Sequence, residues 1–322
     1  MRVAAIDCGT NSIRLLIADG SVGGSGEVEL QEVARELEIV RLGQGVDATG
    51  AFHPEALQRT FAAVDSYAEL IKKHACEGVR FVATSAARDA ANSAEFFDGI
   101  ADRLGVPAEV ITGAEEAELS FRGAVHGLPS DQITDPVLVM DIGGGSTELV
   151  LGGTTGIARA VSLDIGSVRL TERFARHDPP TPDELSAAAH LVDELLDGCG
   201  IDLTSVTTWI GVAGTATSLS AIHQGLRSYD RALVHASRLT RARLGELATE
   251  LAGRTSAERV ETYALHPGRA DVIPFGALIA DRVAERVGID LLISETDILD
   301  GIVLGLLDMA LVEMRQPDTL EG

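Results

Sequence analysis

Asp, Gly and Ser stand at positions 7, 9 and 12 of the chain, and again at 141, 143 and 146. Each set sits between two short apolar runs, so each reads as a strand, a tight turn and a second strand. A glycine-containing turn of this kind can aim backbone N–H groups at an anion, as in phosphate-binding nests. Gly9, Thr10, Asn11 and Ser12 form one candidate cradle, and Gly143, Gly144, Gly145 and Ser146 form the other. Glycine here implies that a Cβ would block the approach of a phosphate. Asp7 and Asp141 end their strands beside these turns. Mg²⁺ is commonly held by one or two such carboxylates together with water and substrate oxygens, so both are candidate metal ligands. Glu148, two residues beyond Ser146, is a third acid able to reach the same ion. The plainer reading is two hairpins with glycine at positive φ and solvated acids. A repeated spacing favours two related halves facing one cleft.

A third turn strengthens the anion reading. Gly214 and Thr215 fall between a strand and a helix, where free N–H groups and the helix dipole favour negative charge. Threonine capping of an ordinary turn is the alternative. Glu115 and Glu116 open a helix after Thr112, and the dipole there is expected to lower a carboxylate pKa. An acid close to a transferring phosphorus could orient and deprotonate water. Arg88 follows a strand and could grip phosphate through its fork of donors. A surface ion pair, with Asp89 or another acid, is the competing reading. The stretch His266–Ile273 combines a turn with charges before an apolar helix and either caps that helix or joins the site.

The elements that must position these residues follow from periodicity. Val3–Ile6 and Ile13–Ala18 read as strands, with a looser third strand within 27–42. Pro54 to Ala75 has apolar residues at helical spacing behind a proline in its first turn. Val79–Ala83 and Ala108–Ile111 are strands, and Ser93–Leu104 and Ala114–His126 are helices. The segment 128–136 is a polar linker bracketed by prolines, after which the programme restarts. Strands are expected at Val137–Met140, Thr147–Leu151, Gly156–Leu163, Val206–Val212 and Leu291–Ile293. Helices are expected at Glu184–Leu196, Ala213–His223 and Asp300–Leu311. The last of these could pack back on the first half, a contact that the sequence does not itself show. The organisation expected is two domains, 1–130 and 131–322.

Composition bounds the function. The 322 residues are 45 % apolar and carry 26 basic against 49 acidic side chains, a net charge of −23. That balance argues against general nucleic-acid or membrane binding, which needs excess basic charge. A phosphate site needs only local donors and a metal, so the acidic total does not oppose one. Cys8, Cys76 and Cys199 have no metal spacing and fit a reducing cytoplasm. The N-terminus does not read as a signal peptide.

Six segments in order resemble the exopolyphosphatase and guanosine pentaphosphate phosphohydrolase family. They are 7–12, 83–89, 113–118, 141–148, 214–217 and 268–273. The resemblance implies an α/β fold of the actin-like superfamily, with two duplicated RNase H-like domains and an interdomain cleft. It implies Mg²⁺-dependent release of orthophosphate from inorganic polyphosphate, with guanosine pentaphosphate as the alternative substrate. By the same carry-over Glu116 activates water, Arg88 grips phosphate, and Asp141 and Glu148, with Asp7 behind them, hold metal or water. A homodimer is the family expectation. Outside the family's reaction, an ATP-dependent kinase or an actin-like ATPase remains the rival class. Two positions depart from the pattern: Glu118 and Leu299 stand where relatives carry arginine. The chain also ends where longer relatives continue into a helical region. Both points imply a weaker hold on long polymers.

Overall fold

The computed structural model describes residues 1–22 and 28–315. Eleven strands divide between two sheets among these residues. The first half contributes β1 (Arg2–Cys8), β2 (Ile13–Val22), β3 (Val28–Glu38), β4 (Gly78–Ala83) and β5 (Ala108–Val110). Its helices are α1 (Val46–Thr49), α2 (Pro54–Lys73), α3 (Ser85–Asp89), α4 (Ser93–Leu104) and α5 (Gly113–Gly127). The second half contributes β6 (Val137–Ile142), β7 (Thr147–Gly153), β8 (Gly156–Leu163), β9 (Thr208–Val212), β10 (Arg238–Leu239) and β11 (Leu291–Ile293). Between these lie α6 (Ser167–Phe174), α7 (Pro182–Asp197), α8 (Ala213–His223), α9 (Arg231–Val234) and α10 (Arg241–Ala252). The remaining helices are α11 (Ser256–Tyr263), α12 (Pro267–Ala270), α13 (Ile273–Val287) and α14 (Ile298–Arg315).

The first sheet runs β3-β2-β1-β4-β5, and the second runs β10-β11-β9-β6-β7-β8. Apart from the extra edge strand β10, the two orders are the same: an antiparallel three-strand meander followed by two parallel strands. This is the duplicated RNase H-like pattern of the actin-like fold. The central strands β1 and β6 are apolar at nearly every position because both of their faces are covered. In β1, Ala4, Ile6 and Cys8 pack into one core with Phe81 and Phe96, while Val3 and Ala5 pack into another with Ile302 and Val303. In β6, Leu138, Met140 and Ile142 join the core of α8 and α13, while Val137 and Val139 meet Ala117 and Phe121 of α5.

The covering helices cross over. α5, from the first half, lies on β6, β7 and β8 of the second sheet, and α14, from the second half, lies on β1 and β2 of the first. The two helices also pack on each other. Glycine permits that contact. A Cβ on Gly123 of α5 would lie 1.8 Å from the Asp297 carbonyl oxygen, and one on Gly301 of α14 would lie 2.1 Å from that of Leu119. Packing therefore assigns α5 to the second sheet, although it precedes the linker.

Candidate active site

The two matching turns close in the same way. Gly9 N–H donates to the Ser12 carbonyl at 3.0 Å, and Gly143 N–H donates to the Ser146 carbonyl at 3.0 Å. These two amides are therefore occupied within their turns. The amides of Thr10, Asn11, Gly144 and Gly145 have no acceptor among the described residues. The glycines do not have positive φ in either turn. Their smallness serves contact between the halves instead: a Cβ on Gly144 would be 2.9 Å from Thr10 Cβ, and one on Gly145 would be 2.6 Å from Ser85 Oγ. The loops of the two halves thus meet at one floor. Thr10 and Ser85 hydroxyls are 3.0 Å apart beside it.

The third turn lies against the same floor. Thr215 Oγ1 donates to the Ile142 carbonyl at 3.0 Å, tying the start of α8 to the end of β6. Ala213 sits at φ 60°, a left-handed conformation for a residue with a Cβ. Gly214 makes room for Arg269, whose guanidinium would be 2.8 Å from a Cβ there. Arg269 donates to the Gly214 carbonyl at 3.0 Å and to Ser218 Oγ at 2.9 Å. Of the segment 266–273, then, the arginine enters the site and His266 caps α12 by accepting from Gly268 N–H.

A cavity of about 640 Å³ runs between the halves, lined by Asp7, Gly9, Thr10, Asn11, Ser12, Glu116, Asp141, Gly143, Gly144, Ser146, Gly214 and Thr215, among others. Arg88, which is exposed, and Glu148 and Gly145 are not among its lining residues. Arg88 donates to Glu116 Oε2 at 3.1 Å and to the Ile111 carbonyl at 2.8 Å, so it fixes the acid. Asp141 accepts from Ser120 Oγ at 3.0 Å, and Glu148 accepts from Ser162 Oγ at 2.6 Å. Ser120 lies one helical turn beyond Glu116, so α5 presents both to the site.

Burial governs the electrostatics. Glu116 is only 8 % exposed. Its pKa is raised well above the ordinary value, first by burial and then by the Glu148 carboxylate, with Arg88 opposing. The lowering expected from the start of a helix is overturned, because desolvation and a like charge outweigh a terminal dipole. Glu148 is pushed up to about 8 by burial and by Asp141. Asp141 is pushed up to about 6, chiefly by burial.

Asp7 differs from these. Burial raises its pKa, but Arg14 works against that. Arg14 donates to Asp7 Oδ2 from Nη2 at 2.6 Å and from Nε at 3.2 Å. Its other terminal nitrogen pairs with Asp297. Asp297 in turn caps α14, accepting from Leu299 N–H at 3.1 Å, while Asp300 accepts from Asp297 N–H at 3.1 Å. Arg14 and Asp297 were not among the candidates drawn from the sequence. Arg14 could have been found by extending the repeat, since it lies seven residues after Asp7 as Glu148 lies seven after Asp141. The spacing of Asp297 and Asp300 before an apolar run is itself a helix-start signal.

Fit to a divalent cation rests on oxygen donors. Asp7 Oδ1 is buried and has no hydrogen-bond partner. Among the described residues no group of three His, Cys, Asp or Glu side chains is placed to hold an ion by itself. The donor set therefore fits Mg²⁺, which keeps water and takes phosphate oxygens, better than a metal that needs a full protein cage.

The model of the Ppx/GppA phosphatase family matches residues 20–310. The chain belongs to that family. Exopolyphosphatase 2 of Mycobacterium tuberculosis is 54 % identical over 317 residues, covering 95 % of this chain and 98 % of that protein. Among solved structures, an exopolyphosphatase-like protein matches with a TM-score of 0.91 and 43 % identity, over 96 % of this chain and all of that one. An exopolyphosphatase from Cytophaga hutchinsonii matches with a TM-score of 0.86 and 29 % identity, over 96 % and 98 % of the two chains. The matches to Ppx/GppA relatives thus span both halves of the chain. Glu118, one of the two departures from the family pattern, is exposed on α5. Leu299, the other, is buried at the start of α14. No described helix is long and apolar enough to cross a membrane.

Proposed function

We propose that this protein is an exopolyphosphatase, a hydrolase of phosphoric anhydride bonds that removes the terminal phosphate of inorganic polyphosphate. The observation that carries the reading is Glu116: a nearly buried carboxyl with a strongly raised pKa, fixed by Arg88, on the wall of a cleft whose floor offers unpaired N–H groups. The water oxygen bonds to the terminal phosphorus as the bridging P–O bond breaks. The water proton passes to Glu116, and the chain leaves one phosphate shorter. Thr10, Asn11, Gly144 and Gly145 offer N–H groups to the terminal phosphate, and Arg269 faces it from the second half. Phosphoryl transfer gains most from such positioning and charge neutralisation. Asp7 and Asp141 would hold Mg²⁺, which supplies charge neutralisation on the phosphate oxygens when bound. Glu148 steers the site by raising the pKa of Glu116. A homodimer in the cytoplasm belongs to the same proposal.

A second reading is favoured by the apolar part of the cavity lining. Leu226, Tyr229, Tyr263 and Leu265 contribute to it, and an inorganic polymer has no apolar part to place there. Guanosine pentaphosphate has both phosphates and a base to place. The experiment is phosphate release by purified protein with Mg²⁺ from polyphosphate, guanosine pentaphosphate and ATP. Glu116→Gln is expected to cut release by about 10²–10⁴-fold, the usual weight of a general base, while retaining substrate binding. Undiminished turnover removes the role assigned to Glu116. Consumption of ATP alone, and only with an acceptor present, replaces the hydrolase with a kinase.

A further inference from the structure

Five arginines line the cavity: Arg14, Arg35, Arg227, Arg231 and Arg269. Three are matched by carboxylates. Arg14 pairs with Asp7 and Asp297. Arg35 pairs with Glu32 and Asp300, each at 2.9 Å. Arg231 crosses from the second half to Glu32 at 2.5 Å and also meets Glu295 at 3.1 Å. With Glu36 beside them, these groups make one side of the cavity acidic or neutral. A polyanion is not drawn to that side.

Arg227 and Arg269 have no carboxylate within ion-pair distance among the described residues. Arg269 lies deep, at the third turn. Arg227 is exposed at the cavity wall, between α8 and α9. Its Nη1 donates to the carbonyls of Glu261 at 3.3 Å and Thr262 at 3.2 Å, in the last turn of α11. Those carbonyls orient the guanidinium without cancelling its charge. Of the five arginines that line the cavity, this one is both exposed and without a carboxylate partner among the described residues.

We propose that Arg227 forms a distal phosphate subsite, which binds an internal phosphate of the polymer as it leaves the cleft and thereby sets the preference for chain length. This rests on the polyphosphate reading above. The chain runs from the paired turns past Arg269 and out beside Leu226 and Tyr263 to Arg227. Arginine suits this position because its planar fork can take two oxygens of one phosphate.

The test compares Arg227→Ala, Arg227→Lys and the unaltered protein on triphosphate and on long polyphosphate. For Arg227→Ala the KM for the long polymer is expected to rise about five- to tenfold, less than the full weight of a hydrogen bond to a charged group because the site is exposed to solvent. Its kcat, and both constants for triphosphate, are expected to stay the same, and lysine is expected to restore part of the loss. An unchanged KM for the long polymer, or an equal rise for both substrates, overturns the subsite. Equilibrium binding of long polyphosphate to Glu116→Gln, with and without Arg227→Ala, decides the question without turnover. If the unaltered protein releases no phosphate from either chain, the hydrolase reading fails. The binding isotherms then still judge Arg227, with several-fold weakening upholding the subsite and equal affinity overturning it.

Discussion

Arg14 and Glu148 occupy the same place in two matching hairpins. Arg14 stands opposite Asp7 in the pairing of β1 with β2, and Glu148 stands opposite Asp141 in the pairing of β6 with β7. The duplicated frame thus carries opposite charges at one position. In the first half a cation neutralises the strand-end aspartate. In the second half two carboxylates face each other, and their pKa values rise to about 6 and about 8. One hairpin carries its own counter-charge on one oxygen of Asp7, and the other has no cation of its own opposite its aspartate.

The first half depends on its cation. Arg14→Met leaves Asp7 buried without its counter-charge and leaves Asp297 with only the charge of Arg35 nearby. A loss of about 3–5 kcal/mol is expected, as when one partner of a buried pair is removed. Denaturant unfolding measures it. Adding Asp297→Asn to that variant is expected to return part of the loss, and no recovery would show that the pair is not coupled in this way.

The second half has the reverse dependence. Glu148 has a folded pKa of about 8, above that of an unfolded glutamate near 4.3. The folded state therefore binds the proton more tightly. The associated stability is fully present below about pH 4 and is lost as pH rises through about 8. In the presence of a chelator, Glu148→Gln is expected to melt several degrees higher than the unaltered protein at pH 9 and about equally at pH 4. A destabilised variant at pH 9 would contradict the sign.

Activity has its own pH signature. Glu116 must be ionised to accept a proton, so kcat/KM is expected to rise with pH through its raised pKa. Arg88 lowers that pKa. Arg88→Met is expected to shift the ascending limb to higher pH, besides reducing the maximum. A profile of unchanged midpoint would separate Arg88 from Glu116.

The crossed helices make a packing prediction. A Cβ on Gly123 would meet the backbone of Asp297, which cannot move aside as a side chain would. Gly123→Ala is expected to cost about 1–3 kcal/mol or more, in the manner of overpacked cores. It is also expected to lower activity, since α5 carries Glu116. Unfolding and phosphate-release assays on the same sample check both effects.

Much of the frame was legible because its signals are local. The repeated Asp-Gly-Ser spacing located both hairpins, and helical periodicity located α2, α4 and α5 to within a few residues. The third strand lay inside the looser span 27–42. α14 packs on β1 and β2 of the first half, a contact that the sequence left open. For two of the glycines the structure adds a reason that the sequence did not offer. Gly144 and Gly145 accommodate Thr10 and Ser85, and that contact joins residues more than fifty positions apart. The pKa of Glu116 was expected to fall with the dipole, whereas it depends on Glu148 and on burial, which no window of sequence displays. Arg14 lay within reach of the repeat, but its pairing with Asp297, 283 residues away, did not.

Because α5 and α14 each leave their own half to cover the other, the chain passes between the halves twice, and the two passages lie against each other. Bodies joined at two adjacent places cannot slide or twist freely; they swing about one line, as a door does on paired hinges. The line of contact here is made of the helix that carries Glu116 and the helix that Asp297 begins. Any swing of the halves about that line would turn Glu116 and the partner of Arg14 together.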